Sequence, residues 1–427
     1  MISSIRIFLN YKKVGMLMSR VVFIGWNACG HINPTLALVN ELVNQGEEVY
    51  YFSKNNKKII ENTGCIYVEN KYLSILYESF QLKLEKQTES DFIQSVTNFY
   101  GSLEFLFVLL DKFKRELIKF KPDYIIHDSG MHFIKYVCKE LSIPCISSVT
   151  LFALNRNMFE ASPDLFSNLY NVKLETNVSD VIKRVDNLAD NYAQKHNYFY
   201  DFFDNVLSKE NLNIVYTSKL FQPYTNFLDD SFHFAGNNLA FRIENEGSCK
   251  YKFSKHKKII LVSLGSILSG CKSQIAFYKQ FMRHFAKYNA IFIINIGNIE
   301  KSEFGKLPNN FILQNNIYQL ELLKLADLFI THGGMNSVSE AIQFNTPMIV
   351  LPQIIDQFIV ARQVSNYEMG EQYTQQNIDF FEIEYLITEI LINKKYIDNT
   401  KLISETYKST GEEKGAVNRI FKYIGKY

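Results

Sequence analysis

The stretch ADLFITHGGMNSVSEAIQFNTPMIVL occupies residues 326–351. Its first six residues are mostly apolar and predict a buried strand. Gly333 and Gly334 follow closely, and the spacing of the apolar residues beyond them predicts a helix over 337–344. Residues 348–351 predict the next buried strand. Strand, helix and strand in this order form a βαβ unit, and such units predict a parallel sheet.

The same alternation runs outward and divides the chain into two halves. In the first half a predicted strand over 21–26 precedes Asn33 and Pro34, which predict a helix N-cap and first turn. The alternation stops in a polar stretch typical of a linker and restarts at Ile259. The predicted divisions are an extension of uncertain status (1–19), a first α/β domain (20–230), a linker (231–257), a second α/β domain (258–405) and a C-terminal helix expected to cross back to the first domain (406–427).

The composition excludes several classes of protein. The chain has 427 residues, of which 47% are hydrophobic and 21% charged, so it is not globally disordered. Its formal net charge of +2 argues against a nucleic-acid binder. No apolar run approaches the roughly 20 residues of a membrane span, so no integral membrane segment is expected, and no secretory leader is recognised. The six cysteines show no CxxC pair or zinc-type spacing, which favours reduced thiols in a cytoplasmic protein.

The few glycines lie where predicted strands turn into predicted helices. Gly30, Gly265, Gly333 and Gly334 all occupy such turns. In a parallel sheet these turns lie at the carboxyl ends of the strands, where ligands bind, and a helix N-terminus there attracts phosphate. A tight turn is the simpler explanation for Gly30 or Gly265 alone. Neither GxGxxG nor GxxxxGK[ST] occurs at these turns, which disfavours a dinucleotide oxidoreductase and a P-loop NTPase.

Three segments together resemble glycosyltransferase family 1, in its macrolide-glycosyltransferase-like branch. They are FIGWNACGHINPTLALVNELVNQGEEVYYF at 23–52, IILVSLGSI at 259–267, and the donor motif that begins at 326 and extends to 370. The resemblance implies a GT-B fold, in which two Rossmann-like domains with parallel sheets face each other across a cleft. It also implies inverting transfer of a hexose, most simply glucose, from a UDP-sugar to a hydroxyl of a hydrophobic small molecule such as a macrolide or a phenolic natural product.

The resemblance assigns the diphosphate to the start of the donor helix. His332, Asn336 and Ser337 would hydrogen-bond the phosphates together with backbone N–H groups around Gly334, and Ser266 resembles a second phosphate contact. Such donors would stabilise the charge that develops on the departing UDP. Alternatives are a buried structural role for the histidine and an ordinary turn role for Ser266. No DxD-type metal motif is apparent, so neither a metal nor another cofactor is expected.

The remaining donor contacts would hold the ribose and the sugar. Glu340 would bind the ribose hydroxyls, although its spacing from Ser337 also fits a capping box. Asp356 and Gln357 would bind the sugar hydroxyls, since together they accept and donate hydrogen bonds; a polar helix cap is the alternative. The resemblance also assigns Gln319 to the donor site.

The catalytic residues implied by the resemblance lie in the first half. His31 would remove the proton from the acceptor hydroxyl, and Asp128, at the end of a later strand, would orient it and stabilise the imidazolium. The nearby helix N-terminus is expected to lower the pKa of His31 and keep it neutral. Taken alone, Asp128 is more simply a helix cap.

One segment departs from the family pattern. The family usually has a tryptophan that stacks on the uracil, followed by a proline and a glutamine; here the residues are Asn316, Tyr318 and Gln319. Tyr318 is therefore a candidate for stacking on the base. A rival function on the same fold is a sugar-nucleotide epimerase, and a rival from another class is a non-catalytic binder of hydrophobic ligands. The segments 70–110 and 150–210 are expected to select the acceptor.

Overall fold

The computed structural model describes most of the chain. The described residues are 18–70, 72, 87–196, 198–207, 209–245, 253, 257–265, 272–354, 356–374, 378–409 and 412–426.

Seven parallel strands form the sheet of the first domain, in the order β3-β2-β1-β5-β6-β8-β9. Their bounds are β1 Arg20–Ile24, β2 Glu48–Ser53, β3 Ile66–Glu69, β5 Tyr124–Asp128, β6 Cys145–Val149, β8 Asn213–Val215 and β9 Phe232–Phe234. A separate ladder joins β4 (Gln87–Thr88) to β7 (Val172–Lys173). Four consecutive residues of β1, 21–24, are fully buried, because helices cover both faces of a parallel sheet.

Six parallel strands form the second sheet, in the order β12-β11-β10-β13-β14-β15. Their bounds are β10 Lys258–Ser263, β11 Ala290–Asn295, β12 Phe311–Gln314, β13 Leu328–Thr331, β14 Met348–Val350 and β15 Gly370–Gln372. The GT-B expectation of two parallel α/β domains is therefore met.

Helices connect and cover both sheets. In the first domain they are α1 Cys29–Ile32, α2 Leu36–Asn44, α3 Lys57–Glu61, α4 Glu89–Ile118, α5 Ile134–Leu141, α6 Asn157–Ala161, α7 Pro163–Tyr170, α8 Val178–His196 and α9 Asp204–Leu207. The others are α10 Ala240–Asn245, α11 Lys272–His284, α12 Gln319–Leu323, α13 Met335–Gln343, α14 Asp356–Asn366, α15 Phe380–Ile392, α16 Lys395–Lys408 and α17 Glu412–Tyr423. Short 3₁₀ turns occur at Asn33–Thr35, Ser129–Met131, Thr225–Phe227, Phe285–Lys287 and Lys301–Phe304.

Two local features differ from the sequence predictions. The first helix begins at Cys29, because the N–H groups of His31 and Ile32 already bond to the Ala28 carbonyl, so Asn33 lies inside a helical run and is not its N-cap. The second difference is that Phe232–Phe234, inside the predicted linker, is the edge strand β9 and pairs with β8. The first domain therefore extends beyond residue 230.

Helix α4 is the one described helix whose length and composition would allow it to cross a membrane. Its long apolar stripe is buried in the core of the first domain, where it packs against α8. A capping box between Thr88 and Asp91 fixes its start. The packing identifies α4 as a core helix of an α/β domain.

The two domains meet along the carboxyl ends of their strands. Helix α1 contacts α13 across this junction, and α7 contacts α14. The chain crosses between the domains twice. Helix α10 of the first crossing packs on α2, and α17 returns to pack on α2 and β9. The buried side chains of α17 join the core of the first domain.

Candidate active site

Three adjacent strands of the first sheet bring His31, Asp128 and Thr150 together. Strand β1 leads into α1 with His31, β5 ends at Asp128, and Thr150 directly follows β6. The Nδ1 atom of His31 lies 2.9 Å from Oδ2 of Asp128 and 2.8 Å from the Thr150 hydroxyl. The Gly130 N–H donates to Oδ1 of Asp128 at 2.8 Å. The carboxylate is thus held on both of its oxygens, and it orients the imidazole.

This contact decides which nitrogen of His31 is free to act. Because a carboxylate can only accept, Nδ1 carries the proton, and Nε2 has the lone pair that a general base needs. Burial lowers the pKa of His31, but the Asp128 and Asp356 carboxylates raise it, and the net pKa lies above the usual value. The expected lowering of the His31 pKa is therefore wrong, because these carboxylates together outweigh burial.

In the second domain, two glycines lie against the ring of His332. A Cβ atom at either Gly265 or Gly334 would approach Nε2 of His332 to 2.6 Å. Gly265 also has a φ of +78°, which L-residues with side chains rarely adopt. Burial lowers the pKa of His332 to about 4, so the ring is neutral at pH 7. Its Nδ1 atom is buried and has no hydrogen-bond partner among the described residues. A polar ring positioned in this way can still bond a ligand.

Helix α13 begins at Met335, two residues before the predicted start. Its N-cap is Gly334, and no side chain among the described residues caps it. The capping-box alternative for Ser337 and Glu340 is therefore wrong, because both residues lie inside the helix. The free N–H groups of the first turn, together with the helix dipole, form an anion-binding end at the cleft.

Glu340 is 1% exposed and is the centre of a hydrogen-bonded group. Its Oε1 accepts from Asn336 Nδ2 at 2.5 Å and from the Arg242 guanidinium, and its Oε2 accepts from Gln319 Nε2 at 2.6 Å. Gln319 also donates to the Ser337 hydroxyl at 3.2 Å. The structure thus brings four predicted donor residues together, with Arg242 as an unpredicted fifth member.

The other predicted donor residues lie around this group. Asp356 is the first residue of α14, and burial raises its pKa while His31, across the cleft, opposes the shift. Gln357 is buried, and its Oε1 accepts from the backbone N–H groups of Gln353 and Ile354, so this end of its side chain shapes the loop. Tyr318 is 42% exposed at the start of α12, as a stacking residue requires. Ser266 lies outside the described residues.

Three residues near the site were missed from the sequence. Thr150 directly follows β6, much as Asp128 ends β5. The expectation that ligands bind at the carboxyl ends of parallel strands could therefore have identified Thr150. Trp26 lies beside His31, and the centroids of the two rings are 6.0 Å apart. Arg242 lies in the polar stretch between the domains, where no sequence signal distinguishes its charge from others.

Comparison with known proteins relates the chain to enzymes that use nucleotide sugars. A family model described as "Erythromycin biosynthesis protein CIII-like, C-terminal domain" matches residues 279–420. The protein described as "Uncharacterized UDP-glucosyltransferase YojK", from Bacillus subtilis (strain 168), is 28% identical over 95% of this chain and 98% of its own length. These similarities support the resemblance to glycosyltransferase family 1. It is therefore a glycosyltransferase that acts with a nucleotide sugar.

Two further comparisons concern the branch and the fold. Oleandomycin glycosyltransferase of Streptomyces antibioticus is 26% identical over 78% of this chain and 74% of its own length, in agreement with the macrolide-glycosyltransferase-like branch. The crystal structure of CalG4, the calicheamicin glycosyltransferase, superimposes with a TM-score of 0.73 at 19% identity and covers 96% of this chain and 99% of that one. This likeness confirms the GT-B fold.

Proposed function

We propose that this glycosyltransferase moves a hexose, most simply glucose, from UDP to a hydroxyl of an apolar small molecule, with inversion at the anomeric carbon. One observation carries the proposal: a histidine oriented by Asp128 lies across the cleft from Asp356, close enough for each to shift the other's pKa. A base for the acceptor and a carboxylate suited to sugar hydroxyls thus face the same space. The description of YojK as a UDP-glucosyltransferase supports UDP and glucose.

The proposed reaction follows from the lone pair on His31. The acceptor O–H donates its proton to Nε2 of His31, and the acceptor oxygen attacks the anomeric carbon from the face opposite UDP. The Asp128 carboxylate stabilises the imidazolium that forms. The C–O bond to UDP breaks, and the charge on the diphosphate is stabilised by the first turn of α13 and by neutral His332 as a hydrogen-bond donor. A single displacement of this kind inverts the anomeric configuration.

We further propose that UDP leaves without the help of a divalent cation. The support is the uncapped start of α13, which supplies backbone N–H donors and the positive end of a helix dipole where the diphosphate would lie. In the proposed complex Glu340, which would accept from the ribose hydroxyls, lies inside the same helix, and the exposed ring of Tyr318 stacks on the base.

The acceptor is proposed to lie beside Trp26 and His31 in the first domain. A half-buried indole next to the base offers an apolar surface that leaves a hydroxyl within reach of Nε2. Many aromatic residues of the segment 150–210, by contrast, pack on one another in the core. The described cysteines Cys29, Cys65, Cys138 and Cys145 are all free thiols, which favours a reducing, cytoplasmic setting.

Mass spectrometry of reactions with UDP-glucose, other UDP- and dTDP-sugars, and a panel of phenolic and macrolide acceptors tests the proposal. We expect a hexose to be added only when an acceptor is present, and His31→Ala to lower kcat by about 10²–10⁴-fold. His196→Ala, a partly exposed histidine on α8, is the matched control and should keep full activity. Full transfer by His31→Ala would refute the mechanism. A change in the sugar nucleotide without an acceptor would indicate an epimerase, and no UDP binding by calorimetry would indicate a binder.

A further inference from the structure

A second group of polar side chains lies in the first domain, outside the catalytic pair. His127 comes from β5, Cys145 from β6, and Glu210 from the turn before β8, and these three strands are neighbours in the sheet. One ligand atom from each residue lies within 4.8 Å of the other two. The side chains of His127 and Glu210 are 0% and 14% exposed, and Cys145 is 7% exposed. A thiol, an imidazole and a carboxylate thus converge in a nearly water-free place.

The hydrogen bonds of His127 show which nitrogen faces the group. Its Nδ1 lies 2.8 Å from the carbonyl oxygen of Asp128, which can only accept, so Nδ1 carries the proton. In the neutral ring the Nε2 atom directs a lone pair towards Oε1 of Glu210, 3.4 Å away. Two acceptors at this distance need a positive charge between them, which either a second proton on the imidazole or a bound cation supplies. Metal-binding histidines are typically oriented in this way, with the other ring nitrogen donating to a carbonyl or carboxylate.

We propose that His127, Cys145 and Glu210 bind one divalent cation of the zinc type. Zinc takes thiolate, imidazole and carboxylate ligands together, whereas magnesium and calcium require oxygen. Bond lengths of about 2.0–2.3 Å in a tetrahedron separate ligand atoms by roughly 3.3–3.8 Å. The separation of 3.4 Å between His127 and Glu210 already lies in this range. All three ligand atoms lie within 4.8 Å of one another, so a contraction of at most about 1 Å would bring the longest separation into this range.

Two of the three proposed ligands border a surface cavity, so water reaches the edge of the group. A surface cavity of about 920 Å³ is lined by Cys145 and Glu210, and by Cys138 of α5. Water can therefore enter and complete a tetrahedron that has three protein ligands. The cavity also gives the ion a path into an otherwise buried group.

The site would act on structure and would not take part in the transfer reaction. An ion on Nε2 fixes the ring of His127, and the same ring holds the carbonyl of Asp128 through Nδ1. Binding would thereby stabilise the strand end that carries the catalytic carboxylate. The inference does not depend on the proposed function, because it concerns metal binding by the folded chain. The proposed ion lies in the first domain, so the proposal that UDP leaves without a divalent cation is unchanged.

Metal titration of the full chain, reduced and stripped with a chelator, tests the proposal. We expect one Zn²⁺ per chain, release of protons on binding, and a thiolate-to-metal charge-transfer band when Co²⁺ replaces Zn²⁺. Cys145→Ser should remove the band, and Glu210→Gln should weaken Zn²⁺ binding by at least roughly 10-fold. Cys65→Ser, at a buried thiol outside the group, is the matched control and should bind as the native chain does.

Two results would overturn the site. One is a folded native chain that binds no Zn²⁺ at micromolar concentration, in which case His127 and Glu210 form a protonated imidazolium–carboxylate pair. The other is an unchanged Co²⁺ thiolate band in Cys145→Ser. Glu210→Gln provides the test if Cys145→Ser does not fold, because Glu210 lies at the edge of the group and its replacement preserves shape. Unaltered Zn²⁺ affinity in Glu210→Gln would then reject the proposal.

Discussion

The two walls of the cleft each centre on a buried carboxylate, and they hold it differently. Asp128 accepts from His31, Gly130 and Thr150, all of which lie at strand ends of its own domain. Glu340 accepts from Asn336 in its own helix, but also from Gln319 at the start of α12 and from Arg242 in the crossing between the domains. The first group lies within one domain, whereas the second includes a residue from the crossing between the domains.

This difference indicates separate tasks for the two walls. A carboxylate that only orients a base is best held rigidly before any substrate arrives, because catalysis depends on preorganised geometry. A carboxylate that binds ribose must admit new hydroxyl donors beside the partners it already has. Since one of those partners is the guanidinium of Arg242, the proposed binding of ribose by Glu340 would link the nucleotide to the first crossing between the domains.

The largest effect is expected in the first domain, from Asp128→Asn. The amide cannot stabilise the imidazolium, and we expect kcat to fall by about 10³-fold. A base works only when neutral, so activity is lost as the pH falls through the pKa of His31. Asp128 raises that pKa, and without it the pKa decreases. The acid limb of the kcat/KM profile should therefore move to lower pH.

Asp398→Asn, an exposed carboxylate on α16, is the control and should leave the profile unchanged. An acid limb that stays in place in Asp128→Asn would show that this carboxylate does not set the charge state of His31.

The next largest effect is expected around Glu340, from Arg242→Ala. Removing one partner of a buried ion pair leaves an unpaired charge, and we expect the free energy of unfolding to fall by about 3–5 kcal/mol. Adding Glu340→Gln should recover part of the loss, since no buried charge then remains unpaired. The matched control is Lys395→Ala, whose exposed ion pair with Glu368 spans 3.0 Å and should contribute little to stability, because solvent screens it. Denaturant unfolding measures all three variants, and equal losses for Arg242→Ala and Lys395→Ala would contradict the buried pairing.

The smallest effect is expected from Gly334→Ala. The new Cβ would lie 2.6 Å from Nε2 of His332, so the ring must move away from the diphosphate end of α13. Such crowding costs roughly 1–3 kcal/mol, and we expect the KM for the sugar nucleotide to rise about 10-fold. Gly30→Ala, on the opposite wall, meets no atom within 4 Å and should change KM by less than about twofold. Steady-state kinetics distinguish the two, and an unaltered KM in Gly334→Ala would separate His332 from donor binding.

Sequence reasoning predicted the strand–helix alternation well, because parallel strands buried on both faces are continuous apolar runs. It missed β9, since a three-residue edge strand leaves no periodic signal. It also predicted the wrong direction for the pKa of His31, because the charges of Asp128 and Asp356 outweigh burial only once the fold brings them close. The contact between Glu340 and Arg242 could not be predicted for a similar reason, since the two residues lie 98 positions apart along the chain.

The return of α17 to the first domain matters for anyone who builds chimaeras of these enzymes. Ala416, Val417, Ile420 and Phe421 fill the core of the first domain, although they come from the last residues of the chain. A graft that exchanges acceptor halves at the first crossing alone would pair a foreign first domain with the wrong closing helix. The unit to exchange is therefore discontinuous, with junctions at both crossings. It consists of the first domain together with α17.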